Sequence, residues 1–299
     1  MKFLVTGGAG FIGSNIVKAL IDKGHSVRVL DLREGSLRRL GISMNDVDFI
    51  RGDIRDTTLD AAVRGVDGIF HEAALVSVQE SYKAKEEYNS VNVNGTRNIL
   101  DVALKHNVRV VHASSASIYG NVSSVPISEN TPRSSNNPYG NSKIDAELLI
   151  QKHMVKNSVG IISLRYFNVY GEGQNAGVIL QFMKQLKNGS PPIINGGGLQ
   201  SRDFVHVKDV ADANLAAMFS KRSGFFNVGT GKSITINKLA QIMIRAYALE
   251  MEPEYIDSGP GDVRESRADI AKTAKYIPWK YSIELDDGLF RLCTGDMHS

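Results

Sequence analysis

The chain opens with a short apolar run that breaks into glycines. Residues 3–5 read Phe-Leu-Val, and Gly7, Gly8, Gly10 and Gly13 follow before apolar residues resume at helical spacing. Glycines at these positions allow a tight turn, let backbone amides approach a phosphate and let a helix pack closely on the preceding strand. This pattern predicts a parallel α/β fold with a dinucleotide-binding turn near its N-terminus.

An acidic residue follows at the distance this pattern requires. Residues 27–30 predict a second strand, and Asp31 ends it, 18 residues after Gly13. A carboxylate there accepts hydrogen bonds from the hydroxyls of an adenosine ribose and repels a 2′-phosphate. The sequence therefore favours NAD over NADP as cofactor, and Arg33 leaves NADP as the alternative.

Composition excludes several other classes of protein. The 299 residues are 42% hydrophobic and 22% charged, and the net charge of +3 forms no basic block suited to nucleic acid. The single cysteine, Cys293, cannot form an internal disulfide, which suits a reducing cytoplasm. No apolar run reaches the roughly 20 residues of a membrane span, and the first strand leaves no room for a signal peptide. We therefore expect a cytoplasmic protein without a membrane or nucleic-acid partner.

Strands and helices alternate through the first half of the chain. The predicted strands are 3–5, 27–30, 48–50, 68–70, 109–113 and 160–164, and the predicted helices are 12–23, 58–65, 84–107 and 139–156. This alternation predicts a doubly wound parallel sheet of the Rossmann type, with ligands along the carboxyl ends of its strands.

The character of the chain changes near residue 170. Glycines and prolines become frequent, and helices are predicted near 177–188, 207–220 and 235–249. We expect a dinucleotide-binding domain at 1–170 and a smaller α+β substrate lobe at 171–299. A segment near 205–232, with a late strand at 225–228, is expected to return to the main sheet.

Two polar clusters are candidates for chemistry. Tyr139 and Lys143 lie four residues apart on one helix face, where the ammonium is expected to lower the phenol pKa and make Tyr139 a general base. Ser115 and Ser117 follow the strand at 109–113, at the edge where a bound cofactor would end. Ser114 is expected to cap the strand structurally.

Nine ordered segments together resemble the extended short-chain dehydrogenase/reductase family, in its nucleotide-sugar epimerase/dehydratase branch. They cover nearly the whole chain: Thr6–Gly13, Gly52–Ile54, His71–Ala74, Asn92–Thr96, Ser114–Gly120, Tyr139–Lys143, Leu164–Asn168, Arg202–Val207 and Gly261–Arg264. The resemblance implies bound NAD, a UDP-sugar substrate and a homodimer built on the helices at 84–107 and 139–156.

The resemblance also implies roles for individual residues. Ser115 acts with Tyr139 and Lys143 in catalysis, and Lys143 also holds the nicotinamide ribose. The implied cofactor-binding set is Gly7, Gly10, Phe11, Ile12, Gly13, Asp31, Asp53, Ile54, Ala73, Ala74, Asn92, Ser115, Tyr139, Lys143 and Phe167. The implied substrate-binding set is Ser117, Asn168, Arg202, Arg264 and Ser266.

Within this branch, a missing acid selects the reaction. Dehydratases and decarboxylating relatives carry an acidic residue where this chain has Ala116, Ser117 and Ile118. Without that acid, oxidation at C4 followed by reduction of the same ketone is expected, which is 4-epimerisation. A 4-keto-sugar reductase that consumes NAD(P)H is the alternative, and a non-catalytic dinucleotide sensor is a second one that the intact Tyr139 and Lys143 disfavour.

Three positions depart from the branch pattern or bear on specificity. Many 4-epimerases have Lys where Val76 stands, and a diphosphate-binding Arg where Gly259 stands, so Arg264 or Arg267 is expected to substitute for it. Ser266 occupies the position where a large Tyr excludes N-acetylated sugars. A small side chain there predicts that UDP-GlcNAc and UDP-GalNAc are accepted beside UDP-glucose and UDP-galactose.

His71, His112 and His206 lack partners at metal-ligand spacing, so no metal site is expected.

Overall fold

The computed structural model describes residues 1–156, 159–257 and 264–295. Its strands are β1 (Lys2–Thr6), β2 (Ser26–Asp31), β3 (Val47–Arg51), β4 (Gly68–His71), β5 (Arg109–Ser115), β6 (Ile161–Tyr166), β7 (Asn168–Tyr170), β8 (Ile193–Asn195), β9 (Ser201–Arg202), β10 (Phe204–His206), β11 (Gly224–Val228), β12 (Ile234–Thr235), β13 (Glu254–Ile256) and β14 (Glu265–Ser266).

The helices lie between these strands. They are α1 (Phe11–Asp22), α2 (Leu59–Val63), α3 (Val78–Ser81), α4 (Lys85–Asn89), α5 (Thr96–His106), α6 (Pro138–Lys156), α7 (Val178–Lys187), α8 (Val207–Phe219), α9 (Ile236–Ala246), α10 (Ala271–Tyr276) and α11 (Leu285–Thr294).

Seven strands form one parallel sheet in the order β11-β6-β5-β4-β1-β2-β3. The chain winds outward from β1 through β2 to β3, and then from β4 through β5 and β6 to β11 on the other side. The winding direction reverses between β1 and β4, so a crevice opens at the carboxyl ends of these two strands. The predicted doubly wound sheet is confirmed, and the late strand at 225–228 is present as β11.

Both faces of the sheet are covered by helices, which explains why central strands such as β1 and β4 are almost wholly buried. Phe3 and Val5 pack with Ile16 of α1 on one face, and Leu4 packs with Ile99 of α5 on the other. A separate core joins α7, α9 and α11 in the C-terminal part, which also carries the short strands β8, β9, β12, β13 and β14. The division into domains at residue 170 stays a prediction.

The predicted helix at 84–107 differs from the structure in its middle. Residues Ser90–Gly95 form a π-helical stretch between α4 and α5. Within it, Asn92 turns its carboxamide to the loop after β4, where it bonds Leu75 N and O at 2.8 and 2.9 Å. Helical periodicity could not reveal this stretch, because the apolar pattern of the sequence continues across it.

Candidate active site

The glycine turn between β1 and α1 has the geometry of a phosphate cradle. Gly7 adopts a φ of 67°, and a Cβ on it would lie 2.6 Å from Ala73 N. A Cβ on Gly13 would overlap the Gly7 carbonyl, so both positions require glycine. Helix α1 begins at Phe11, and its N-cap residue is Gly10, which has no side chain to cap the first amides. Its first amides, together with the helix dipole, therefore suit a pyrophosphate.

A cleft of about 370 Å³ extends from this turn along the carboxyl ends of the strands. Of the predicted cofactor residues it is lined by Gly7, Gly10, Asp31, Asp53, Ile54, Ala73 and Ala74. Asp31 accepts hydrogen bonds from the amides of Ala9 at 3.0 Å and Arg33 at 3.3 Å. Burial raises the pKa of Asp31, while these amide bonds oppose the rise. The Asp31 carboxyl is thereby fixed at the lip of the cleft, where an adenosine ribose would lie.

The far end of the cleft contains an ion pair that sequence reasoning missed. Arg55 donates to both carboxylate oxygens of Asp53, at 2.9 and 2.6 Å, and to Glu87 at 3.0 Å. The hydrogen bonds from Arg55 lower the pKa of Asp53. The Asp53 carboxylate is thus paired with Arg55 where it lines the cleft.

Asn92 connects the loop after β4 to helix α6, which carries Tyr139 and Lys143. Besides Leu75, its amide nitrogen donates to Ser142 Oγ at 2.9 Å, and Ser142 Oγ donates to the Tyr139 carbonyl at 2.7 Å. Asn92 is buried and does not line the cleft itself. Its place in the site is to hold the loop after β4 against α6.

Tyr139 and Lys143 lie where α6 crosses the end of β5. Lys143 is buried, and its Nζ donates to the Ala113 carbonyl at 2.9 Å. Burial lowers the pKa of Lys143 to about 8, while Glu72 and Glu147 oppose that change. The expectation of a depressed phenol pKa is wrong for the protein by itself, because burial raises the pKa of Tyr139 more than the nearby Ser115 and Ser117 hydroxyls lower it.

A second cavity, of about 400 Å³, opens beside Tyr139. It is lined by seven of the predicted residues, namely Ser115, Ser117, Tyr139, Phe167, Asn168, Arg202 and Ser266. Sequence reasoning missed Val78, Ile127, Asn136, Asn137 and Tyr166, which also line it. Among these, Asn136 and Asn137 precede α6, and only the proximity of the Tyr139 motif could have indicated them.

Two of the predicted substrate-binding residues come from segments more than 60 residues apart in the chain. Arg202 in β9 pairs in register with Ser266 in β14. The buried Asp203 fixes this arrangement, because it accepts from the amides of Gly231 at 2.9 Å and Ala268 at 3.1 Å. Burial raises the pKa of Asp203, and the hydrogen bonds from residues 230, 231 and 268 counter it. Arg202 and Ser266 thus form one wall of the cavity.

Other predicted residues lie outside both cavities. Phe11, Ile12 and Gly13 form the first turn of α1 behind the cleft. Arg264 has an exposed side chain, and its amide donates to Asn121 Oδ1 at 3.4 Å. Gly259 and residues 261–263 lie outside the described residues. Among the described residues, neither Arg264 nor Arg267 lines either cavity, and the expectation that one of them replaces the diphosphate-binding Arg stays a prediction.

The buried histidines and Ser114 have partners of their own. His71 bonds Thr6 Oγ1 at 2.8 Å and Thr96 Oγ1 at 3.0 Å, and His112 bonds Ser163 Oγ at 3.0 Å. Ser114 donates to Glu147 at 2.7 Å. Across residues 1–156, 159–257 and 264–295, no cluster of His, Cys, Asp and Glu could hold a metal ion. In the same residues, no helix is long and apolar enough to cross a membrane.

Comparisons with known proteins agree with this geometry. The model of the NAD dependent epimerase/dehydratase family matches residues 3–229. The UDP-glucose 4-epimerase of Mycolicibacterium smegmatis is 34% identical over 301 residues, covering 97% of this chain and 96% of that protein.

Two solved structures are similar over almost the whole chain. The UDP-N-acetylglucosamine 4-epimerase of Methanobrevibacter ruminantium, in complex with UDP-N-acetylmuramic acid, has a TM-score of 0.94 and 33% identity, covering 98% of this chain and 97% of that one. The UDP-glucose 4-epimerase of Thermotoga maritima with UDP-glucose has a TM-score of 0.92 and 32% identity, covering 98% of both chains.

Proposed function

We propose that this chain, which belongs to the NAD-dependent epimerase/dehydratase family, catalyses 4-epimerisation of a UDP-sugar with a retained NAD. One observation carries the proposal. Tyr139, Ser115 and Ser117 converge on a single cavity that no carboxylate lines among the described residues. Such a cavity can move a proton on and off a sugar hydroxyl but has no acid for eliminating water. The similar proteins named above are UDP-sugar 4-epimerases, which supports the same reaction.

The residues of the dinucleotide cleft fit NAD. The turn at Gly7–Gly13 would hold the pyrophosphate, Asp31 the adenosine ribose, and Lys143 the nicotinamide ribose. Bound NAD would supply the hydride acceptor, and its reduced form the hydride donor. Asp31 supports NAD over NADP, since its carboxylate would face a 2′-phosphate at short range.

Tyr139 is proposed as the group that takes the proton from the sugar 4-hydroxyl and later returns it. Its phenol is buried beside Ser115 and Ser117, which can hold the reacting hydroxyl and pass the proton. Since burial raises the pKa of Tyr139, a phenolate needs positive charge nearby, which the Lys143 ammonium and the oxidised nicotinamide would both provide. Asn168 and Arg202 are proposed to bind the diphosphate, because Arg presents a bidentate donor pair to phosphate.

The substrate pocket supports a broad choice of sugar. Ser266 is 8% exposed and presents a short side chain to the cavity beside Arg202. A Tyr at this position would add a ring to that wall and reduce the space for a 2-acetamido group. We therefore propose that the enzyme accepts UDP-GlcNAc and UDP-GalNAc beside UDP-glucose and UDP-galactose.

The test is incubation of the purified protein with UDP-galactose and no added cofactor, with the products separated by chromatography. UDP-glucose should form, and Tyr139→Phe should slow its formation by about 10²–10⁴. Absence of UDP-glucose, together with stoichiometric oxidation of NADH or NADPH when a UDP-4-keto-sugar is supplied in a parallel reaction, would instead identify a 4-keto-sugar reductase and refute the proposal.

We further propose a cytoplasmic homodimer paired through α5 and α6. Leu104 of α5 and Leu148 of α6 are 41% and 42% exposed on these helices, whereas Ile99 and Leu100 are buried against the sheet. A dimer contact would cover the exposed pair. Light scattering of the wild type and of Leu148→Glu tests this, because a monomer in both would refute it.

A further inference from the structure

Glu72 connects the two cavities and has no role in the proposed reaction. It follows β4 and lines the dinucleotide cleft beside Gly7 and Ala73. The hydroxyl of Tyr166 donates to Glu72 Oε1 at 2.9 Å, and Tyr166 lines the second cavity, the one beside Tyr139. The junction between the two cavities is therefore spanned by a carboxyl group and a phenol.

The neighbours of Glu72 hold its carboxyl group in place. Asn214, fully buried in α8, donates to the Tyr166 hydroxyl at 2.8 Å and so fixes the phenol from behind. Lys143 attracts Glu72 through space while its ammonium is bonded to the Ala113 carbonyl. Burial raises the pKa of Glu72 to about 7, and the Tyr166 hydrogen bond and Lys143 work against that rise. A positive charge arriving at the junction would keep Glu72 ionised.

We infer that Glu72 sets the balance between the oxidised and the reduced nicotinamide in this site. The inference rests on the proposed function, because a ring that exchanges hydride with a sugar must reach from the cleft to the second cavity and hence pass Glu72. The oxidised ring carries a positive charge and the reduced ring carries none. A fixed carboxylate in a poorly hydrated site therefore binds the oxidised form more tightly. The negative charge of Glu72 thereby favours the oxidised cofactor, which is the form that accepts hydride from the sugar.

The test compares Glu72→Gln with the wild type by the ratio of their dissociation constants for NAD⁺ and NADH. Nicotinamide-free protein is titrated with NADH by fluorescence, and NAD⁺ is measured by competition. Gln keeps the size of the side chain and an oxygen acceptor for the Tyr166 hydroxyl, so a purely structural role leaves the ratio unchanged. We expect at least a tenfold loss of preference for NAD⁺ over NADH. A tenfold change is a shift of about 30 mV in the potential of this two-electron couple.

Two controls separate charge from structure. Glu87→Gln removes a carboxylate from the adenine end of the same cleft, and we expect it to change both affinities by the same factor. Glu72→Leu removes the charge and the hydrogen bond together, and should shift the ratio in the same direction as Glu72→Gln. It keeps the test decisive if Glu72→Gln does not fold.

The outcomes distinguish this inference from the proposed function. An unchanged ratio in Glu72→Gln or Glu72→Leu overturns the role of Glu72 but leaves epimerisation untouched. Wild-type protein that binds neither NAD⁺ nor NADH overturns both. A shifted ratio in a protein that does not epimerise UDP-galactose supports the role of Glu72 and refutes the proposed reaction alone.

Discussion

Glu147 is a buried charge that holds α6, the helix carrying Tyr139 and Lys143, against strands β5 and β6. It lies in α6, one turn after Lys143, and its side chain is fully inaccessible. Its carboxylate accepts from Ser114 at 2.7 Å, from Arg165 at 2.9 and 2.7 Å, and from Arg133 at 2.9 Å. The Arg165 side chain is only 1% exposed. Glu147→Gln therefore leaves a buried guanidinium facing a neutral amide.

The expected cost follows from this burial. Removing one partner of a buried ion pair costs about 3–5 kcal/mol, because the remaining charge has lost its solvation and its partner. At about 2–4 °C per kcal/mol for a chain somewhat smaller than this one, the melting temperature should fall by about 6–20 °C. Affinity for NAD should also fall, since the turn of α6 that carries Lys143 loses its attachment to β5 and β6.

Urea unfolding of Glu147→Gln, Arg165→Met and the double variant Glu147→Gln/Arg165→Met measures this energy. The double variant should be more stable than the sum of the single effects predicts, because no strong unpaired charge of this pair remains. Asp145→Asn, on the exposed face of the same helix, is the matched control and should stay within about 0.5 kcal/mol of wild type. A loss below about 1 kcal/mol for Glu147→Gln, or strictly additive single effects, would refute the reasoning.

Four further predictions concern the site itself. Tyr139→Phe should lower kcat by about 10²–10⁴ while NAD binding, followed by calorimetry, is retained; retained turnover would exclude Tyr139 as the base. The Lys143 pKa of about 8 means that the ammonium is present below that pH and is lost above it, so NAD affinity should fall between pH 7 and 9 in the wild type and become independent of pH in Lys143→Met. An equal pH dependence in both proteins would contradict this assignment. Asp31→Asn should raise the affinity for NADP relative to NAD by about tenfold, since it removes a charge facing the 2′-phosphate; an unchanged ratio would show that Asp31 does not select the cofactor. Ser266→Tyr should lose activity on UDP-GlcNAc and retain activity on UDP-galactose, and equal loss of both would rule out the gating role.

The sequence by itself determined the parts of this protein that depend on local conformation. The strand, the glycine turn and the helix at residues 2–22 are fixed by apolar spacing and by glycines that no other residue can replace. Asp31 lies a set distance after the glycine turn, so its position at the carboxyl edge of the sheet followed from the fold class. Tyr139 and Lys143 were identified by their own four-residue spacing and by the family resemblance. The missing acid at 116–118 also came from the sequence alone, and so did the choice of epimerisation over dehydration.

The tertiary structure decided what depends on groups far apart in the chain. One wall of the second cavity forms because β9 pairs with β14, which places Arg202 beside Ser266 although they are 64 residues apart in the chain. No periodicity of the sequence encodes this pairing. The pKa of Tyr139 rises, although the Lys143 spacing predicted a fall, because burial depends on everything packed around the phenol. Glu72 stood within a recognised motif with no assigned role, and only its contact with Tyr166, 94 residues away, places its charge between the two cavities. Desolvation and long-range contacts are properties of the folded chain, and for that reason the sequence could not supply them.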